Sequence, residues 1–397
     1  MRILIATQTY YPTTNGQAVF TTHLAEGLAQ RGHEVVVVTP SEDLHSYREE
    51  RNGVHIEYVA AVPIVRGVGD VRLTPFPQIH APRILERFHP DVVHVQDHYP
   101  LCRSVVQAAR KRGIPLLGTN HFLPENLMRN MPGPLRESTH IERLLWWTML
   151  DLFNELDMVT TPTETAARIL QEQGLQVPVR AISCGVDVHR FRPMPHLDRA
   201  AVRRSFGVDP QGTVFVYVGR VDHEKRLDVA LQAMYLLNRG DVHFLIGGRG
   251  FHLEDLQTLA RTLHLQERVT FLGHVSPEDH PRLLNCADAF IMPSEAELLS
   301  IATLEAMACG LPVIAANARA LPELVTPGVN GYLFKPGDPE DAARWMGRLL
   351  AERSRWPEMG QAARAVAEAH ALERVLEAYE ALYFRLAAQE RMATPST

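Results

Sequence analysis

Short, uninterrupted runs of valine, isoleucine and leucine alternate along this chain with segments of helical periodicity, and this alternation constrains the fold most. In the first half the runs are Arg2–Thr7, Glu34–Thr39, Val54–Val59, Asp91–Gln96, Ile114–Thr119, Asp157–Thr161 and Val179–Ser183. In the second half they are Thr213–Val218, Val242–Gly247, Arg268–Gly273, Ala287–Met292, Pro312–Ala316 and Gly331–Phe334. Most are apolar throughout rather than every second residue, as strands covered on both faces require. Between them the spacing predicts helices such as Val19–Arg31, stopped by Gly32, and Arg103–Arg112, with Gly113 just past its end. Strands and helices in strict turn predict parallel sheets flanked by helices.

At 397 residues the chain exceeds one ordinary core and suits two domains. Periodicity lapses in Asp187–Leu197, where Pro193 and Pro195 fall close together, and a fresh helix at Arg199–Phe206 follows. The expected domains are therefore 1–190 and 191–370, with a helical tail over Pro339–Glu390. A net charge of −6 argues against a nucleic-acid partner. Cys102, Cys184, Cys286 and Cys309 are widely spaced, which reads as reduced thiols in a cytoplasmic protein. The chain opens directly on a strand with no signal-peptide pattern, and no uncharged apolar run is long enough to span a bilayer.

Open parallel sheets bind ligands beyond the carboxyl ends of their strands, so loops that follow strands carry the candidate chemistry. Tyr11 to Gln17 links the first strand to its helix, and Gly16 would let an anion approach the backbone N–H groups there. The pattern is not GxGxxG, and an ordinary turn is the plainer alternative. Directly after Thr213–Val218 comes Gly219-Arg220-Val221-Asp222-His223-Glu224-Lys225-Arg226. Arg220 at the strand end and Lys225 at the expected helix start suit a diphosphate, one as a fork and one as a point charge. Lys225 is one of only three lysines. The alternative is surface charge, with Glu224 neutralising a neighbour.

The segment Pro293 to Pro312 is the most informative. A strand ends at Met292, a loop follows, and a helix is expected from about Ser300 to Gly310. Glu297 and Glu305 are eight apart, a rise of ~12 Å if both were helical, too far for an acid/base couple. They could instead grip two hydroxyl-bearing parts of an extended ligand, with the helix N-terminus facing phosphate. Alternatively they are solvated acids, although Glu305 lies within the apolar run Ile301–Ala308, where a bare carboxylate is costly. His94, Asp97 and His98 straddle a strand end without the spacing of a metal site. His121, after Thr119-Asn120, reads alone as a packing or capping histidine. Asn126–Glu155 combines Leu127, Met128, Met131, Leu135, Leu144, Leu145, Trp146 and Trp147 with Arg129, Arg136 and Arg143. That mixture suits either a core helix plus loop or peripheral contact with an anionic membrane.

Taken together these motifs resemble the retaining nucleotide-sugar-dependent glycosyltransferases of family 4. Glu297-x7-Glu305 running into Glu305-Ala306-Met307-Ala308-Cys309-Gly310-Leu311-Pro312 is the most specific of them. Leu28 to Val35, Gly185-Val186-Asp187, Gly219-Arg220 with Lys225, Phe271-Leu272-Gly273, and Ala287-Asp288 before Pro293-Ser294 follow in family order. The resemblance implies a GT-B architecture, two Rossmann-like parallel-sheet domains facing across a cleft, with a final helix at about 371–393 returning to the first. It implies transfer of a hexose from a UDP- or GDP-sugar to a lipid or glycan hydroxyl, without a metal or other cofactor, in the cytoplasm or at the inner membrane face. Arg220 and Lys225 match the pair that holds the donor diphosphate. Glu305 matches the ribose-binding acid and Glu297 the acid on the transferred sugar. Leu299, Ser300 and Ile301 fall where backbone amides meet phosphate and sugar, and Val275 where the backbone meets the base. Gly16 and His121 match first-domain positions on the acceptor side of the reacting carbon.

Three departures stand out. Asn15-Gly16 replaces Gly-Gly, Leu298-Leu299-Ser300 replaces Gly-Phe-Gly, and Gly248-Arg249-Gly250-Phe251 replaces Gly-Asp-Gly-Pro. The first bears on acceptor or phosphate contact, the second keeps the amides but reshapes the sugar pocket, and the third adds a cation that touches the nucleotide or is solvated, so donor identity stays open. An epimerase or hydrolase of the same architecture, or a non-catalytic sugar-nucleotide binder, are the alternatives.

Overall fold

A computed structural model describes residues 1–13, 15–63, 72–128, 133–135 and 137–393. Its strands are, in chain order, β1 (Arg2–Ala6), β2 (Glu34–Pro40), β3 (Tyr47–Arg51), β4 (Val54–Val59), β5 (Val62–Pro63), β6 (Arg72–Leu73), β7 (Val92–Val95), β8 (Leu116–Thr119), β9 (Met158–Thr161) and β10 (Val179–Ala181). They continue as β11 (Thr213–Val218), β12 (Val242–Gly247), β13 (Val269–Gly273), β14 (Ala289–Met292), β15 (Val313–Ala316) and β16 (Gly331–Phe334). Every apolar run expected to be a strand is one. The chain separates into two compact units, Met1–Cys184 with Glu373–Thr397, and Gly185–Leu372.

In the first unit the sheet order is β10-β9-β8-β7-β1-β2-β4-β3. All pairs are parallel except β3 with β4. Ile3, Leu4, Ile5, Val35, Val37, Val92 and Val93 are fully buried, which explains their unbroken apolar sequence. β3 was not expected: Tyr47-Arg48-Glu49-Glu50-Arg51 is charged and mostly exposed, an edge strand protected from further pairing by its polarity. The antiparallel pairing of β5 with β6 was likewise not expected. Gly113 stands two residues beyond the helix Pro100–Arg110 and its cap Lys111, with φ +64°.

The helix Leu372–Ala393 packs onto this same unit. Tyr379 and Tyr383 are fully buried. Tyr383 OH lies 2.8 Å from His94 Nδ1, and Tyr379 OH 3.1 Å from Thr160 Oγ1. Glu380 receives Arg31 and lies 2.8 Å from His33 Nε2. At Gly27 a Cβ would come within 2.5 Å of Leu376, so the small residue sets how closely this helix meets Gly16–Gln30.

The second unit is a parallel sheet in the order β13-β12-β11-β14-β15-β16. Chain direction across the sheet reverses between β11 and β14, so the loops that leave these two strands separate over a crevice at that point. Those loops are residues 219–226 and 293–300. In the first unit the corresponding reversal lies between β1 and β7, placing the loops that carry Gly16 and Asp97 there. The expected tail is three helices, Pro339–Ala351, Trp356–Ala369 and Leu372–Ala393.

Candidate functional site

The loop after β11 opens with Gly219 at φ +155°, and Tyr217 OH donates to the Arg220 carbonyl at 2.6 Å. A Cβ on Gly219 would lie 2.8 Å from that hydroxyl. Arg220 is thereby turned so that its guanidinium donates to Asp222 Oδ2 at 2.6 Å and to Glu224 Oε1 at 2.5 Å. Its side chain remains 46% exposed while those of Asp222 and Glu224 are 6% and 3% exposed, so two buried acids aim a cation whose remaining N–H groups face outward. Lys225 does not start a helix as expected. It ends the 3₁₀ turn His223–Lys225, and the helix begins at Leu227 after Arg226, which adopts a left-handed φ of +49°.

Lys225 Nζ donates to Glu297 Oε1 at 2.6 Å and stands 3.4 Å from Glu224 Oε1. Burial works against its charge, but Glu297 and Glu224 overcome it and raise its pKa. Glu297 is therefore not a solvated loop acid. It is buried, and it joins the loop after β14 to the loop after β11. Ser294 Oγ strengthens the same junction by donating to the Glu224 carbonyl at 3.2 Å.

The helix Ile301–Ala308 begins beside this pair. Ser300 is its N-cap, its Oγ accepting from Thr303 N–H at 3.2 Å and bonding Thr303 Oγ1 at 2.8 Å. The N–H groups of Ile301 and Ala302 have no acceptor within the helix, which leaves an anion-attracting end. Leu299, immediately before, is buried. Glu305 lies farther along. Burial pushes its carboxyl up to about 8, against the opposing charge of Arg190. Its Oε2 is 3.7 Å from His280 Nε2, and burial, then Arg190, hold that imidazole down at about 4. Both are uncharged near neutrality, and among the described residues His280 Nε2 has no hydrogen-bond partner. Val275 follows β13 and reaches Gly247, where a Cβ would meet its Cγ2 at 2.7 Å. Arg249 is exposed.

The Gly185–Leu372 unit thus carries Arg220, Lys225, Val275, Glu297, Leu299, Ser300, Ile301 and Glu305. Lys225 and Glu297 are in contact, and Arg220 shares Glu224 with Lys225. Gly16 and His121 belong to the other unit. Gly16 starts its helix behind Asn15, whose side chain accepts from Ala18 N–H at 2.8 Å. Thr14 lies outside the described residues. His121 Nε2 is 2.8 Å from Gln96 Oε1, its ring packs on Phe20 at 4.8 Å, and burial lowers its pKa to about 3. His94 has its nitrogens beside Tyr383 and Thr119, and Asp97 accepts from Gln8 N–H at 2.5 Å and Tyr99 N–H at 3.1 Å. Tyr217, Asp222, Gln96 and His280 were missed from sequence. Asp222 stood inside the cationic motif, whereas the other three are paired only by folding.

The helix Thr139–Phe153 resolves into two faces. Trp146, Met149, Leu150, Leu152 and Phe153 are buried, while Leu144 and Trp147 are 56% and 62% exposed. Arg129, Met131 and Arg136 lie outside the described residues. Among the described residues no helix is long and apolar enough to cross a membrane.

The family profile described as Glycosyl transferases group 1 matches residues 198–366, and that of Glycosyltransferase Family 4 matches 14–190. A D-inositol 3-phosphate glycosyltransferase of Geodermatophilus obscurus is 32% identical, covering 96% of this chain and 86% of its own. The sulfoquinovosyl transferase SQD2 of Arabidopsis thaliana is 27% identical over 86% of this chain, which spans 65% of that enzyme's length. Among solved structures, the sucrose-phosphate synthase of Thermosynechococcus elongatus superposes with a TM-score of 0.82 at 21% identity, covering 98% of this chain and 99% of its own. Anabaena HepE in complex with UDP-glucose gives 0.78 at 20% identity, covering 96% and 99%. These likenesses place the fold in the GT-B class.

Proposed function

The chain belongs to the family 4 glycosyltransferases, the glycosyl transferases group 1, and from that premise we propose that it transfers a hexose from a nucleotide-diphosphate sugar to a hydroxyl acceptor with retention of configuration. The observation that carries the reading is the convergence of Arg220, Lys225 and Glu297 with the N-terminus of Ile301–Ala308 at the sheet's reversal point. The donor's two phosphates would take the outward N–H groups of Arg220, the Lys225 ammonium and the helix-end amides. Glu297 would accept from sugar hydroxyls. Ribose hydroxyls would satisfy Glu305 and supply the bond that His280 Nε2 lacks. Val275 would border the base.

In the reaction the bond from the anomeric carbon to the β-phosphate oxygen breaks, and its electron pair stays on that oxygen. Fixed cations and the helix dipole stabilise this growing charge without reorganising, so the protein's own groups supply what a metal ion would. The acceptor oxygen bonds the anomeric carbon on the face the phosphate leaves, and its proton passes to the departing phosphate. No second carboxylate across the sugar is required. His121 belongs to the other unit, where its Nε2 stands beside Gln96 and burial keeps its imidazole uncharged near neutrality.

For the donor, we favour a UDP-sugar over a GDP-sugar because HepE, a neighbour in fold, is held in complex with UDP-glucose. For the acceptor, a lipid or glycan is our reading, given relatives such as the alpha-monoglucosyldiacylglycerol synthase of Streptococcus pneumoniae. The exposed Leu144 and Trp147 beside Arg143 favour contact with an anionic membrane surface, at the cytoplasmic face in this reading, where the four unpaired cysteines would stay reduced. Thermal shift across UDP-, GDP- and ADP-sugars tests the donor, and anomeric analysis of the product tests retention. If no sugar nucleotide raises the melting temperature, the reading fails. Rapid donor conversion without any acceptor would move it to an epimerase or hydrolase. Absence of co-sedimentation with anionic liposomes would remove the membrane contact.

A further inference from the structure

Within the Gly185–Leu372 unit, two loops are laced together beside the candidate site. Val221 N–H donates to the Arg249 carbonyl at 2.9 Å, His252 N–H to the Val221 carbonyl at 3.0 Å, and Phe251 N–H to Asp222 Oδ1 at 3.1 Å. Gly250 makes the lacing possible, since a Cβ there would lie 2.3 Å from the Val221 oxygen. The result sets the His223 ring against that of His252, with centroids 3.8 Å apart and planes inclined by 34°. His252 precedes the helix Leu253–Thr262, and Asp255 stands one turn along, its Oδ2 3.9 Å from His252 Nε2. One donor atom from each of the three residues lies within 4.8 Å of the others. Among the described residues this is the one such grouping of histidine, cysteine and carboxylate side chains.

Nothing in the transferase chemistry uses this cluster. Among the described residues His252 Nδ1 has no hydrogen-bond partner, and Nε2 is beyond hydrogen-bond reach of Asp255. Two imidazoles with no acid bonded to them form a donor set at the protein surface, His223 and Asp255 exposed and His252 half-buried behind them.

We propose that His223, His252 and Asp255 bind a divalent transition-metal ion of the Zn²⁺ type, with water completing its shell. Two imidazole nitrogens and one carboxylate oxygen suit zinc, nickel or copper and suit the hard, oxygen-seeking magnesium and calcium poorly. Bonds of about 2.0–2.1 Å in a tetrahedron separate donor atoms by roughly 3.3 Å. The cluster must therefore close by up to about 1.5 Å, and the exposed His223 and Asp255 side chains have the freedom to do so.

The ion would tie the loop after β11 to the helix Leu253–Thr262. His223 and Lys225 share a single 3₁₀ turn, so fixing the histidine restricts the lysine two residues on. The site is regulatory in this scheme and takes no part in bond breaking. It does not rest on the transferase reading, because metal binding is measured without donor or acceptor.

The test is calorimetric titration of the metal-stripped full chain with ZnCl₂, with MgCl₂ as control, for the native sequence and for His223→Gln, His252→Gln and Asp255→Asn. One zinc site per chain is expected, weakened at least tenfold in each variant and absent with magnesium. Cobalt(II) in place of zinc should give a visible d–d band that the same variants lose. His223→Gln and Asp255→Asn alter exposed side chains, so they stay informative even if His252→Gln disturbs folding. Zinc binding equal to the native chain's in both of those variants, or no stoichiometric zinc binding at all, would overturn the proposal.

Discussion

Glu305 gives the sharpest test of the donor site, because its environment and its proposed task require opposite charge states. Burial raises its carboxyl to about 8, so near pH 7 roughly nine in ten molecules carry it protonated. To accept through both of its oxygens, one ribose hydroxyl on each, it must ionise. That ionisation costs about 1.4 kcal/mol at pH 7 and only about 0.2 kcal/mol at pH 8.5, from RT ln(1 + 10^(pKa − pH)). Donor affinity should accordingly rise roughly eightfold between those pH values, with close to one proton released per donor bound at pH 7. A sugar nucleotide is the right probe, since its phosphate diesters keep their charge throughout.

Calorimetry with UDP-glucose in two buffers of different ionisation enthalpy reads both quantities. Glu305→Gln keeps an acceptor oxygen but cannot ionise, so its affinity should match the native chain's within a few fold at pH 7 and should not improve at pH 8.5. A flat or inverted profile in the native chain would refute the ionised-acceptor argument. The same steepness in Glu305→Gln would assign the proton to another group. In the absence of donor the sign reverses. A folded-state pKa above the unfolded value of 4.5 means that stability falls as pH rises from there to about 8.

Replacing Arg220 or Lys225 by alanine should lower turnover on the order of 10²–10³-fold in a donor-consumption assay while the circular dichroism spectrum is kept. Glu297→Gln should tighten binding of UDP alone severalfold and slow transfer, as separate titration and turnover measurements would show. Gly248→Ala places a Cβ 1.8 Å from the Gly219 oxygen at φ +142°, and should cost on the order of 2–4 kcal/mol in denaturant unfolding. Burial holds His98 and His280 at about 4 and His121 at about 3, so the unfolded chain takes up protons below its ordinary imidazole pKa of 6.5 that the folded chain refuses. Melting temperature should therefore drop as pH falls from 6.5 toward 4, and His280→Gln should reduce that slope.

Both sheets were legible because their strands are buried on both faces, and an unbroken apolar run such as Ile3-Leu4-Ile5 has few other destinations. β3 was not, since a strand of Arg48, Glu49 and Glu50 is specified by its pairing with β4 and not by any face of its own. Boundaries drifted where a cap decides them. Ser300 and Arg226 stand just outside helices that periodicity alone had run through or begun early. At the candidate site, residue type and position after a strand picked out Arg220, Lys225 and the two glutamates. What they touch was beyond reach, because a contact such as Lys225 with Glu297 joins residues 72 apart and depends on sheet order.

That contact changes how the cationic site should be understood. Counted as ionised, Arg220 and Lys225 contribute two positive charges, while Asp222, Glu224 and Glu297, all within their hydrogen-bonded cluster, contribute three negative ones. A bare pair of cations would attract any phosphate. This cluster attracts one only when something takes Glu297 away from Lys225, and the hydroxyls of the transferred sugar are suited to do that in the proposed donor. The diphosphate and the sugar would then bind cooperatively, each freeing a partner for the other, and the nucleotide product would be held less well once the sugar has left. Asp222 and Glu224 stay in place throughout, because each is buried and fixes the direction of Arg220. The tighter UDP binding expected of Glu297→Gln follows directly: with that side chain neutral, Lys225 loses the nearer of its two carboxylates, keeping Glu224 at 3.4 Å, and the cluster no longer carries a net negative charge.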